Sequence, residues 1–162
     1  MVKFLSPTDV EAAAESFLRK YHPERTLPIP IEEILDLLAE SVRGQLVGEV
    51  PLGAFLSGGI DSSTVVALMS RLSADPVKTF TIGFACADET YEDEREYATL
   101  LAECYHTDHT EYVVAPHADG LLARIVEAFD EPFADDSTVP SYFVYQLARK
   151  RVTVALSGLG GD

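Results

Sequence analysis

Residues 55–64, FLSGGIDSST, combine two adjacent glycines, the hydroxyls of Ser57, Ser62 and Ser63, and the carboxylate of Asp61 directly after a short apolar run. A strand that ends near Ser57 and a helix that begins near Asp61 leave Gly58 and Gly59 in a tight turn, where no Cβ blocks close approach of a ligand. The first-turn N–H groups of the helix have no intrahelical acceptor, and the macrodipole adds about half a positive charge there. Backbone and hydroxyl donors together make a cradle for phosphate oxygens. The turn is not a kinase-type P-loop: GxxxxGK[ST] is absent and no lysine occurs between Arg43 and Lys78. Asp61 stands there instead. A carboxylate beside phosphates calls for a divalent cation between them, and Mg²⁺ prefers one or two carboxylates plus phosphate oxygens. The chain makes a second, similar gesture in ALSGLGGD, residues 155–162, where another apolar run ends in Leu-Ser-Gly and Asp162 follows.

These turns need strands before them and helices after them. SPTDVEAAAESFLRKY opens with Ser6, Pro7 and Asp9 in a capping-box arrangement, which predicts a helix, and HPERTLPIP ends it with three prolines in nine residues. A second helix is predicted from about Ile31 to Val47, with Ile34, Leu35, Leu38, Val42 and Leu46 on one side. Leu52 to Leu56 then reads as a strand, and Val65, Val66, Leu68, Met69 and Leu72 as one face of the helix after the turn. VKTFTIGF and HTEYVVA supply two further strands, separated by a helix in DETYEDEREYATLLAECY. Helices follow over about His117 to Phe129 and Val139 to Lys150, and RVTVALS closes with a fourth strand. Strands alternating with helices predict an α/β fold of parallel βαβ units, its sheet buried on both faces. The chain divides into a helix and Pro-rich linker over 1–30 and one α/β domain over 31–162.

Net charge limits the partners. With 27 acidic against 12 basic residues the formal charge is −15, which repels a phosphate backbone over much of the surface and argues against nucleic acid. A bound anion must therefore be held by local geometry or a metal ion. No stretch approaches the about 20 apolar residues of a membrane helix, and MVKFLSPTDVE has no apolar core of signal-peptide length, so a cytoplasmic protein is expected. Cys86 and Cys104 form neither a CxxC pair nor a disulfide framework and read as free thiols.

Four ordered stretches, VPLGAFLSGGIDSS, FTIGF, DEPFADDSTVP and VALSGLGGD, resemble the synthetase domain of asparagine synthetases (glutamine-hydrolysing), within the ATP pyrophosphatase superfamily. The resemblance covers about Ile31 to Asp162. It implies a doubly wound parallel sheet of the adenine nucleotide alpha hydrolase-like type with strand order 3-2-1-4, so that Ser57 and Ser157 flank one crevice at the carboxyl ends of the strands. At matching positions it implies ATP as bound nucleotide. Ser57, Gly58, Gly59, Ser62 and Ser63 would hold pyrophosphate, and Phe55, Leu56, Ile82, Gly83, Ser157 and Gly158 would border the adenosine portion. Asp61 and Asp162 would approach Mg²⁺ from opposite sides as catalytic residues. The implied reaction is ATP-dependent activation of an aspartate-like carboxylate as acyl-adenylate, release of pyrophosphate, and amidation by ammonia. The implied partners are small molecules and a separate glutaminase domain or chain, with no nucleic acid and no membrane.

The chain departs from that family at three places. The glutaminase half with its N-terminal cysteine is missing, Leu159 stands where Glu or Asp is usual, and the family continues beyond Asp162. A truncated gene product or a cut piece, with weak or no synthetase activity by itself, is therefore expected, and a non-catalytic nucleotide-binding remnant remains the alternative. A serine hydrolase built on Ser57 fails because Gly53 lies four residues before it, so GxSxG is absent. The run DETYEDERE reads as a solvated helix start, and His106 and His109 as loop packing rather than a zinc site. Asp135, Asp136 and Ser137 fit two readings, a cap for the next helix or a loop facing the crevice.

Overall fold

A computed structural model of the chain describes residues 30–85, 95–114, 120–128 and 137–158. The helix predicted after Ser6 lies outside them. The described elements are α1 (Ile31–Gln45), β1 (Leu52–Phe55), α2 (Ile60–Leu72), β2 (Lys78–Phe84), α3 (Arg95–Cys104), β3 (Asp108–Val114), α4 (Leu121–Ala128), α5 (Thr138–Ala148) and β4 (Val154–Leu156). Each follows the apolar spacing of its segment. Among the described residues no helix is long and apolar enough to cross a membrane.

The four strands form one parallel sheet in the order β3-β2-β1-β4. β1 lies between β2, with Gly53 opposite Lys78 and Phe55 opposite Phe80, and β4, with Leu52 opposite Val154 and Ala54 opposite Leu156. The sheet order therefore reverses at β1, where the chain leaves toward β2 on one side and returns as β4 on the other. Backbone bonds from Thr153 N to Pro51 O, 2.8 Å, and from Asp108 N to Val77 O, 2.8 Å, extend this registry just below the strands.

Alternation along β1 sends Ala54 and Leu56 to one face and Phe55 to the other. On the first face Ala54 and Leu56 pack with Val66 and Met69 of α2, Val42 of α1, and Ala98 and Ala102 of α3. On the second, Phe80 of β2 packs with Leu147 and Ala148 of α5 and with Val152, and Phe55, Ile82 and Val144 close over them. Phe80, fully buried, is among the largest side chains hidden from solvent, so α5 is the main cover of that face. Helices on both faces of a parallel sheet make this a doubly wound α/β architecture.

RVTVALS contributes less strand than its β-branched composition predicts. Only Val154–Leu156 pair with β1. Val152 is drawn into the α5 cluster, and Arg151 turns away to meet Asp108 at the start of β3, with Nη2 to Oδ2 at 2.6 Å and Nη1 to Oδ1 at 3.1 Å. Arg151 Nη1 also donates to Thr110 Oγ1 at 2.7 Å. This bidentate pair ties the segment before β4 to the start of β3 and holds the Asp108 carboxyl below its ordinary value.

Candidate functional site

The site is assembled at the carboxyl end of β1. Leu56 N still donates to Phe80 O at 3.0 Å, while its carbonyl accepts the buried hydroxyl of Thr81, so the last sheet-like residue is tied on both sides. Beyond it the backbone must turn sharply. Gly58 takes φ +87°, a left-handed conformation that costs a glycine nothing, and Gly59 returns to extended geometry as the residue before α2.

Ser62 is the hub of the turn. It is buried, and its Oγ lies 3.2 Å from Ser57 N, 3.0 Å from Ser57 Oγ and 3.2 Å from Gly59 O. Gly59 N donates in turn to Ser57 Oγ at 3.3 Å, and Ser63 Oγ donates to Gly59 O. The hydroxyls of Ser62 and Ser63 are thus turned onto the turn's own backbone rather than outward. Asp61 is exposed in the first turn of α2.

The end of β4 abuts the first turn. β4 ends at Leu156, opposite Ala54, and the chain passes through Ser157 to Gly158. A Cβ placed on Gly158 would lie 2.5 Å from Ser62 N, 2.8 Å from the Asp61 carbonyl carbon and 3.0 Å from Asp61 Cβ. Only a glycine fits so closely against the start of α2. Leu159 and Asp162 lie outside the described residues, as do Cys86, Asp135 and Asp136.

Beside the turns a cavity of about 220 Å³ opens at the carboxyl ends of β1 and β2. Phe55, Leu56, Ser57, Ile82 and Gly83, all singled out from the sequence, line its strand side. Gly58, Gly59, Asp61, Ser62 and Ser63 form the adjoining turn and helix start, and Gly158 rests on Asp61 and Ser62, but neither Ser157 nor Gly158 is among the described residues that line the cavity. Its opposite wall comes from Ser137 and from Pro140, Ser141 and Val144 of α5. Ser137 therefore faces the cavity, and its side chain makes no capping bond to α5. Sequence reasoning missed the α5 wall, Thr81 and Arg95. The α5 positions look like an ordinary apolar helix face, and only its docking across the second face of the sheet turns them toward the strand ends.

Off the site, His109 lies on β3, its Nδ1 2.8 Å from Thr79 Oγ1, which in turn lies 2.8 Å from Thr107 Oγ1. Burial pushes its imidazole below the ordinary value, against an opposing pull from Glu111. His106 adopts φ +52° after α3 and is exposed. Among the described residues no group of three or more His, Cys, Asp or Glu could hold a metal ion.

A parallel 3-2-1-4 sheet covered by helices on both faces, with a glycine turn after its first strand, is a doubly wound α/β fold, and its structural neighbours place it in the adenine nucleotide alpha hydrolase-like type. Two solved structures share this fold. The NH3-dependent NAD synthetase of Campylobacter jejuni matches with TM-score 0.51 at 14% identity, covering 78% of this chain and 56% of that one. The NMN synthetase of Francisella tularensis matches with TM-score 0.55 at 15% identity, covering 79% and 54%. The asparagine synthase family model matches residues 33–162, and the chain belongs to that family. A putative asparagine synthetase (glutamine-hydrolyzing) of Methanocaldococcus jannaschii is 42% identical over 134 residues, covering 82% of this chain and 25% of the relative. Asparagine synthetase (glutamine-hydrolyzing) 1 of Bacillus subtilis is 38% identical over 133 residues, covering 82% and 20%. The chain spans a quarter or less of the length of these relatives.

Proposed function

We propose that this chain carries the nucleotide-binding part of an ATP-dependent, amide-forming ligase, in which a carboxylate attacks the α-phosphorus of ATP, releases pyrophosphate and leaves an acyl-adenylate for ammonia to convert to an amide. The observation that carries this reading is the close apposition of Gly158, just after β4, to Asp61 and Ser62 at the start of α2, beside a cavity that runs from Ser57 to Ile82 and Gly83. Membership of the asparagine synthase family supports it, and makes aspartate the acceptor to test first. The names of the relatives point to glutamine as the ultimate ammonia source, delivered by a glutaminase domain or chain.

Each residue then has a task. The N–H of Gly58 and those of Ile60 and Asp61 at the start of α2 receive the leaving pyrophosphate, and the helix dipole favours its charge, while the N–H groups of Ser57 and Gly59 are taken up by the turn's own hydroxyls. Ser62 and Ser63 keep that turn in shape, and Ser57, exposed, offers its hydroxyl. Phe55, Leu56, Ile82 and Gly83 border the adenosine, with Ser157 and Gly158 on the far side. Asp61, exposed in the first turn of α2, is a hard oxygen donor beside the phosphate cradle and suits Mg²⁺, with Asp162 as the second carboxylate. Mg²⁺ held there would neutralise charge on the phosphate oxygens. The remaining catalysis is positioning: the carboxylate and the α-phosphorus are held in line while the pyrophosphate is stabilised as it leaves.

Titration calorimetry with ATP and Mg²⁺, followed by a coupled assay for pyrophosphate released in the presence of aspartate and ammonium, tests the proposal. Saturable ATP binding is the expected minimum, and a chain that binds neither ATP nor AMP would overturn it. A binding-only role is favoured by Leu159, a side chain without acid-base capacity between Gly158 and Gly160 in the sequence. Nucleotide binding without aspartate-dependent pyrophosphate release would select that second reading.

A further inference from the structure

The described lining of the cavity carries a single charged side chain, Arg95, in a chain whose formal charge is −15. The environment of the guanidinium is defined by two neighbours. Arg95 lies flat across the end of β2, so close to Gly83 that a Cβ there would fall 2.2 Å from Arg95 Cδ, 2.3 Å from Nε and 2.9 Å from Cζ. From the neighbouring strand β3, Glu111 Oε1 accepts from Arg95 Nη1 at 3.1 Å. A glycine beneath and a carboxylate at one end thus aim a permanent positive charge along the cavity wall.

We infer that Arg95 is the anion-pairing residue of this cavity, binding an anionic oxygen of the substrate, and that Glu111 is the positioning residue that holds its guanidinium over Gly83. The inference rests on the reading of this cavity as a substrate site and adds what that reading lacks, a positively charged side chain. Backbone amides and a helix dipole supply partial charges, whereas Arg95, held at Nη1 by Glu111, is a permanently charged fork whose planar geometry suits a second anionic oxygen. Two substrate groups share the required chemistry, a nucleotide phosphate and the carboxylate of the acceptor acid.

Calorimetric titration of Mg²⁺-ATP, sodium pyrophosphate and L-aspartate into the wild-type chain, Arg95→Gln, Arg95→Lys, Glu111→Gln and Arg71→Gln separates these sources. Arg71→Gln removes one positive charge from the last turn of α2 and serves as the charge control. The expected result is a loss of about tenfold in affinity for one probe class in Arg95→Gln, a smaller loss in Arg95→Lys and Glu111→Gln, and none in Arg71→Gln. Loss confined to ATP and pyrophosphate assigns the phosphate, and loss confined to aspartate assigns the carboxylate. Equal affinities for every probe in wild type and Arg95→Gln overturn the role of Arg95 while leaving nucleotide binding intact. Arg95-dependent aspartate binding without ATP binding overturns the nucleotide reading and leaves Arg95 standing. A wild-type chain that binds none of the three probes overturns both. If Arg95→Gln does not fold, Gly83→Ala, which displaces the guanidinium and keeps the charge, is expected to weaken the same probe, and unchanged affinity there counts against the inference.

Discussion

Gly158 rests against the amide of Ser62, with 2.5 Å between that nitrogen and the point where a Cβ on Gly158 would stand. Residues from the end of β4 and from the start of α2 thereby share one patch of backbone. The contact makes the shape of the Ser57–Gly59 turn depend on where β4 ends. Gly158→Ala is expected to push the end of β4 away from the start of α2 and weaken ATP binding by about tenfold or more, read by calorimetry. Gly44→Ala, in α1 with no atom within 4 Å of the new methyl, is the matched control. It should leave binding unchanged and raise stability by about 0.5–1 kcal/mol, because alanine is the better helix former.

Thr81 ties the far side of the same turn. Its buried hydroxyl donates to the carbonyl of Leu56, the last residue before the chain leaves the sheet. Thr81→Val keeps the shape of the side chain and strands that buried carbonyl, at a cost of about 1–3 kcal/mol in urea unfolding. Thr81→Ser, which restores the donor, should recover most of the loss. ATP affinity is expected to fall in the valine variant and return in the serine variant.

Asp61→Asn keeps a short polar side chain at the start of α2 and removes its charge. If Asp61 holds Mg²⁺, the variant should bind ATP with nearly the same affinity in excess EDTA as in excess Mg²⁺, whereas the wild-type chain should bind more tightly with the metal. An unchanged metal dependence in the variant would exclude Asp61 as a ligand.

Two groups on β3 set the expected pH dependence of stability. Arg151 lowers the Asp108 pKa below 3.8, so the folded form holds that proton less tightly than the unfolded chain. The contribution of this pair is complete above about pH 5 and fades as pH falls through the acid range below the usual carboxylate value. It should be small, because both side chains are well exposed. His109 is lowered below 6.5 by burial, so the unfolded chain takes up its proton first, and stability is lost as pH falls from about 7 toward 5. Thermal melts across this interval should flatten in His109→Gln, while Asp108→Asn should flatten only the acid limb.

The local elements and the glycine turn were legible because each rests on residues close together in the chain. The spacing of Val65, Val66, Leu68 and Met69 marks a helix, VKTFTIGF marks a strand, and SGGIDSS marks a bend that only glycine adopts easily. Where local pattern and packing disagree, packing prevails. RVTVALS reads as seven strand residues, yet Val152 is taken by the Phe80 cluster and Arg151 by Asp108, which leaves Val154–Leu156 to the sheet. Ser62 and Ser63 look like outward donors from their position at a helix start. Their hydroxyls instead satisfy Gly59 O, an acceptor visible only once the turn is closed.

By itself the sequence determined which of the described segments are strands and helices, where the glycine bend after β1 lies, and that a family-specific set of motifs surrounds it. Only the tertiary structure decided that Gly158 presses on Ser62, that α5 walls the cavity and that Arg95 crosses Gly83. The reason is physical: side-chain periodicity and backbone preference act over a few residues. The neighbours of a strand end are chosen by how the whole sheet and its covering helices bury their apolar faces.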